Sequence, residues 1–208
     1  MLLPPWFDEG KTPSPDDDFA FDEEPDWNSP PDAREIADQR HCLLMRQREF
    51  SKAAKVVAWE LATLEAVKRI VLFGSVANPL VEEVPRFRHF RRWGIAVPHE
   101  CKDVDLAVWM DDFTNLRTVQ KAKLRGLNAL LQEEDIGVAH HQVDIFLFDA
   151  TTGRYAGRLC QFAVCPKSKP ECRREGCGQP PYMKSDPDFS LQPDALIPER
   201  SRELYVCG

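Results

Sequence analysis

No stretch of this 208-residue chain approaches the roughly 18 consecutive apolar residues that a membrane-spanning helix needs. The start, Met1-Leu2-Leu3-Pro4-Pro5, has neither a basic region nor a long apolar one behind it, so no secretory signal is expected. Without an export route, the seven cysteines are expected to stay reduced in the cytoplasm, which argues against a disulfide framework. No internal repeat is found. Basic residues are almost missing from residues 1–30, where Lys11 stands against nine acids; the remaining 178 residues hold 26 bases and 25 acids. One segment therefore carries the acidity. The near-neutral body speaks against a large nucleic-acid footprint.

Composition divides what is there into three parts. Residues 1–32 are rich in Pro, Asp and Glu with scattered aromatics (Trp6, Phe7, Phe19, Phe21, Trp27), and are expected to form a disordered or extended tail. Residues 33–150 carry the periodic segments of a core. Ile36, Leu43, Phe50, Val57, Leu61 and Leu64 mark a helical face across 33–68, with Ser51 as a point where it could divide in two. A second helix is expected over 114–134, with Leu116, Val119, Leu127, Leu130 and Leu131 as its stripe and Lys121, Lys123 and Arg125 interleaved. Three β-branched or aromatic runs read as strands at 70–73, 103–109 and 142–148. Helix, strand, strand, helix, strand predicts an α/β (α+β) fold, a small mixed β-sheet backed by helices. Residues 151–208 follow as a Cys-rich module and an irregular tail.

The candidate chemistry lies in the strands. The first stops at Gly74-Ser75, where glycine permits close backbone approach and backbone N–H groups with a hydroxyl can bind phosphate oxygens. Alternation puts Asp103 and Asp105 on one face of the second strand, placed to share a hard divalent cation. Asp144 adds a third carboxylate from the next strand, to hold a second metal or take a proton from an attacking hydroxyl. Asp105 and Asp144 both sit inside apolar runs. An unpaired carboxylate there is costly, and a bound cation is a physical reason for it.

Phe73-Gly74-Ser75, Asp103-Val104-Asp105-Leu106 and Val143-Asp144-Ile145 together resemble the nucleotidyltransferase superfamily typified by DNA polymerase beta, nearest to its small stand-alone "minimal" prokaryotic proteins. The resemblance spans about residues 55–150 and implies a set of roles. Gly74 and Ser75 would hold the phosphates of an NTP; Lys102, outside the family pattern, reads either as a further phosphate contact or as an exposed residue. Asp103, Asp105 and Asp144 would hold Mg²⁺ or Mn²⁺, and the reaction would transfer a nucleoside monophosphate to an acceptor hydroxyl of RNA or tRNA, a protein or a small molecule. This chain departs from the family pattern in two places: residues 76–102 separate the turn from the first aspartate, and Asn78-Pro79 replaces the usual later glycine.

Two further features carry alternatives. In the insertion, Arg86, Arg88, Arg91 and Arg92 alternate with Phe87, Phe90 and Trp93. They read either as a stacking and phosphate-binding surface or as an amphipathic helix with its aromatics inward. Cys160, Cys165, Cys172 and Cys177 have outer gaps of four residues, at the wide end of structural zinc spacing. Four thiolates on Zn²⁺ would stabilise a segment poor in hydrophobic residues; three ligands with His140 or His141, or plain thiols, are the rivals. The competing functional class is a non-catalytic nucleotide- or RNA-binding module, with the Cys-rich element or the acidic tail as a protein-partner surface.

Overall fold

Asp32 opens the first helix with a reciprocal cap. Its side chain accepts from the Glu35 N–H at 2.8 Å, and the Glu35 side chain accepts from the Asp32 N–H at 2.7 Å. The helix, α1, runs unbroken over Ala33–Ala62, so Ser51 lies inside one helix. Leu43, Phe50, Ala53, Ala54, Val57 and Leu61 form its buried stripe. The structure is a computed structural model and describes residues 29–166, 170–192 and 194–207. Expectations for residues 1–28 of the acidic tail lie outside the described residues. From Pro31 onward the chain forms one unit.

The elements after α1 are β1 (Val67–Phe73), β2 (Glu82–Glu83), α2 (Arg88–Arg92), β3 (Val97–Pro98), β4 (Val104–Met110), α3 (Leu116–Glu134), β5 (Val143–Asp149), β6 (Tyr155–Leu159), β7 (Met183–Lys184) and β8 (Arg202–Val206). Six strands make one mixed sheet in the order β7-β6-β5-β4-β1-β8. Strands β4 and β5 are parallel and joined through α3; the other pairings are antiparallel. Among the described residues the result is a mixed α+β fold, three α-helices with a six-stranded mixed sheet. Among the described residues no helix is long and apolar enough to cross a membrane.

Alternation sorts the strands' side chains between two layers. Ile70, Leu72, Leu106, Val108, Ile145 and Leu147 join the α1 and α3 stripes in the main core. Val71, Phe73, Ala107, Phe146 and Phe148 point the other way, where Phe189, Leu191, Ala195 and Leu196 cover them. The Phe146 and Phe189 rings stack at 4.7 Å. The stretch expected to be an irregular appendage therefore supplies β6, β7 and β8 to both edges of the sheet and a lid to its second face. Its signal in the sequence is weak because β7 is two residues long and the covering residues follow no period.

The insertion folds on α1. Phe90 and Val97 bury with Leu43, while Phe87 packs beside them and the four arginines stay exposed. That arrangement is the amphipathic alternative; Trp93, 41% exposed, departs from it.

Gly126 marks where α3 crosses α1. A Cβ there would meet the Val56 carbonyl oxygen at 2.9 Å and the Val57 Cα at 3.2 Å, both backbone atoms that cannot give way cheaply. Gly126→Ala would ordinarily gain about 1 kcal/mol of helix propensity. It is expected instead to lose roughly 1–3 kcal/mol through overpacking. Urea denaturation checks this through the midpoint, and a midpoint equal to or above wild type would refute the close crossing.

Candidate active site

The functional side chains gather at one end of the sheet. Strand β1 delivers Gly74 there, at φ 76°, and a tight turn follows in which the Ala77 and Asn78 N–H groups both donate to the Gly74 carbonyl. Glycine is required twice over. The positive φ disfavours any L side chain, and a Cβ would collide with Oδ2 of Asp105 and lie 3.3 Å from its Cγ. The turn thus rests against the carboxylate.

Three groups brace that turn. Gln47 of α1 donates to the carbonyls of Val76 (3.4 Å) and Asn78 (2.8 Å). The Val81 N–H donates to His99 Nδ1 at 3.3 Å, so the proton sits on Nε2, which donates to the Ser75 carbonyl at 3.1 Å. The buried Cys101 thiol donates to the same oxygen at 3.5 Å. Burial pushes the Cys101 thiol above its usual value. The long insertion therefore returns as a support for the turn, a role that nothing in its sequence signals.

The carboxylates come together by register. Asp105 is cross-strand neighbour to Phe73 on one side and to Asp144 on the other. Asp103 lies one residue before β4 begins and is exposed. Burial, then Asp144 and Asp103, pushes the Asp105 carboxyl up to about 7, against the opposing pull of Arg158. Asp103 is raised by burial and by Asp144, with His141 the first group to offset it. Lys102 turns its ammonium to Glu100 at 3.8 Å, which leaves the Gly74–Ser75 turn without it. His140 and His141 form an exposed 3-10 turn just before β5.

Two cations at the site escaped the sequence reading. Arg158 of β6 donates to Asp144 Oδ2 at 2.9 Å and lies over the Phe146 ring at 5.6 Å. It sits in a stretch read as a separate module, so its return to the sheet was invisible. Lys123 is buried, 4% exposed, and donates to the carbonyls of His140 (3.0 Å) and Val143 (3.3 Å). Burial lowers its pKa, an effect that Asp144 opposes. The sequence reading sets Lys123 between the stripe residues rather than on the stripe. Val119, Lys123 and Leu127 fall at i, i+4 and i+8, and that spacing places the lysine on the buried stripe. Tyr155 also joins this face. Its buried hydroxyl has no partner among the described residues, and burial pushes the phenol up to about 12.

No family model, curated protein or solved structure matches this chain. Function must be read from the geometry.

The cysteines lie beside this centre, on the loop that leaves β6. The Phe162 N–H donates to Cys160 Sγ at 3.5 Å, and the Cys165 thiol faces the Cys172 carbonyl at 3.0 Å. Burial, and then hydrogen bonding and charge from Cys165, raise the Cys177 thiol, which also receives a backbone N–H from Ser185 and feels Cys160. Among the described residues, however, no group of three or more His, Cys, Asp or Glu side chains is gathered closely enough to hold a metal ion.

The donor sets still fit the metals in kind. A carboxyl driven to about 7 by burial and two neighbouring carboxyls marks a deficit of positive charge. Mg²⁺ needs only one or two carboxylates when substrate phosphates complete its shell. The cysteine loop offers four thiols of the kind zinc takes, but they are not gathered around one point.

Proposed function

We propose that this protein is a nucleotidyltransferase, of the EC 2.7.7 type, that moves a nucleoside monophosphate from an NTP to an acceptor hydroxyl. The observation that supports it most is the packing of the Gly74 turn directly on Asp105, with Asp105 in register with Asp144. A phosphate-sized turn and a carboxylate cluster are thereby held as one unit.

In this reading the N–H groups and hydroxyl at Gly74–Ser75 bind the triphosphate, and His99, Cys101 and Gln47 keep that turn in place. Asp103 and Asp105 would hold Mg²⁺ or Mn²⁺, with the free side of Asp144 as a third donor. When bound, the cation would neutralise the triphosphate and favour departure of pyrophosphate. The acceptor oxygen forms its bond to the α-phosphorus as the bond to pyrophosphate breaks. Asp144 is positioned by Arg158, and the oxygen that Arg158 leaves open takes the hydroxyl proton where it does not hold the cation. The thiols of Cys160, Cys165, Cys172 and Cys177 would hold structural Zn²⁺, and the setting would be cytoplasmic. The acceptor is RNA or tRNA, a protein or a small molecule, which spans toxin–antitoxin and resistance roles; fold alone does not choose among them.

A second reading rests on Arg158. Its guanidinium already occupies one oxygen of Asp144, as a cation would in a site that binds nucleotide without turning it over. The deciding experiment incubates the protein with each α-phosphate-labelled NTP, Mg²⁺ or Mn²⁺, total RNA and cell extract. Label on an acceptor with wild type but not with Asp103→Ala/Asp105→Ala is the expected result. Nucleotide binding without transfer, for every NTP and both metals, would favour the binding module.

A further inference from the structure

The carboxylate end of the sheet does not stop at Asp144. Next to β5 comes β6 with Arg158, and Arg158 pairs across to Lys184 on β7. Between these strands and the loop after β6 lies a cavity of about 270 Å³. Asp144 and Arg158, of the proposed transfer site, line it together with Phe162 of the loop.

Its charge is lopsided. Lys123, Arg158 and Lys184 face a single carboxylate, Asp144, and the imidazoles of His140 and His141 stand at the rim. Arg158 and Lys123 are committed to Asp144 and to two carbonyls. Lys184 makes no ion pair with any described residue. The Phe162 ring is 42% exposed, so a flat apolar surface is presented beside an uncommitted cation. An anion with an aromatic ring suits both features. A polycationic acceptor is disfavoured by like charge, and a protein hydroxyl needs neither feature. The volume lies just below the roughly 300–1,000 Å³ of drug-sized ligand sites, which suits a small ligand.

We propose that this cavity is the acceptor subsite and that it takes a nucleoside phosphate: the base lies on Phe162, the phosphate lies at Lys184, and the ribose hydroxyl is presented to Asp144. The proposal rests on the transferase reading, and it assigns the cysteine loop a role as the acceptor wall. Two sources share this chemistry, a free nucleotide and the 3′ end of an RNA.

The test is fluorescence anisotropy with a short 5′-labelled single-stranded RNA bearing a free 3′-hydroxyl, on wild type, Lys184→Glu, Lys184→Gln and Phe162→Ala. Free nucleoside monophosphate is the competitor. Lys184→Glu is expected to weaken binding about tenfold or more and to flatten its salt dependence. Lys184→Gln should give a smaller loss in the same direction, and Phe162→Ala about tenfold. Competition by the monophosphate assigns the free nucleotide; competition only by unlabelled RNA assigns the RNA end. Affinity unchanged in all three variants, or no binding of either ligand by wild type, overturns the subsite. NTP binding with Mg²⁺, measured by equilibrium dialysis on the same folded proteins, should be unaffected by the variants. Failure of wild type to bind NTP, with RNA binding still dependent on Lys184, would remove the transferase reading and with it the acceptor role. That outcome is distinct from loss of the subsite itself.

Discussion

Replacing Asp105 with Asn is expected to make the metal-free protein more stable near neutral pH while abolishing the proposed nucleotidyl transfer. The reason is linkage. The Asp105 carboxyl titrates at about 7 in the folded chain, raised from 3.8 by burial and by Asp144 and Asp103. Between those values the native state holds a proton that the unfolded state has released, so stability falls as pH rises from about 4 to 7. The full shift corresponds to roughly 4 kcal/mol. Asn removes the charge and keeps the shape, so Asp105→Asn should raise stability near pH 8 by about 2–3 kcal/mol, or roughly 5–10 °C in Tm. The gain should vanish near pH 4, where the wild-type carboxyl is protonated as well. Saturating Mg²⁺ should stabilise wild type near pH 8 by linkage and leave Asp105→Asn unmoved. Thermal melts in EDTA and in Mg²⁺ across this pH range check all three statements. A variant less stable than wild type at every pH would show that Asp105 makes structural bonds outweighing its repulsions. Transfer by the variant should fall below about one-thousandth of wild type if Asp105 positions the triphosphate charge.

Gly74→Ala is the second large effect, and its partition can be measured. The residue sits at φ 76°, where an L side chain costs about 1–2 kcal/mol. Gly94 has nearly the same conformation, φ 64°, with no heavy atom within 4 Å of the point where a Cβ would stand. Gly94→Ala should therefore report the backbone cost alone, about 1 kcal/mol by chemical denaturation. Gly74→Ala should match that loss or exceed it modestly, because the Asp105 side chain can swing away from the new methyl. The swing is what matters for function. Misplacement by about 1 Å can cost roughly 100-fold in rate, and Gly74→Ala is expected to lose at least that while Gly94→Ala keeps wild-type turnover. Equal activities in the two variants would mean that the Gly74–Asp105 approach has no part in the chemistry.

The sequence made one half of the site legible. Gly74 stands where a strand must end, and Asp105 and Asp144 interrupt apolar runs, so each is marked by its immediate neighbours. Lys123 was equally marked by its spacing on the α3 stripe, and its charge hid the signal. Arg158 and His99 carried no such mark. Each reaches the site through a strand or an insertion whose partner lies far along the chain: Arg158 is brought to Asp144 by the β5–β6 pairing, and His99 to Ser75 by the return of residues 76–102.

What the sequence by itself determined is local: a helical face over 33–68, a Gly-Ser turn at the end of a strand, carboxylates in strands, four cysteines close together and net acidity confined to the first 30 residues. Periodicity, capping and composition act over a few residues, so they can be read without knowing the fold. Tertiary structure alone decided that Asp105 faces Asp144, that Arg158 occupies one of its oxygens, and that β6, β7 and β8 complete the sheet. Strand register and burial are set by partners distant in the chain, and the rise of the Asp105 carboxyl to about 7 follows from that assembly rather than from the residue.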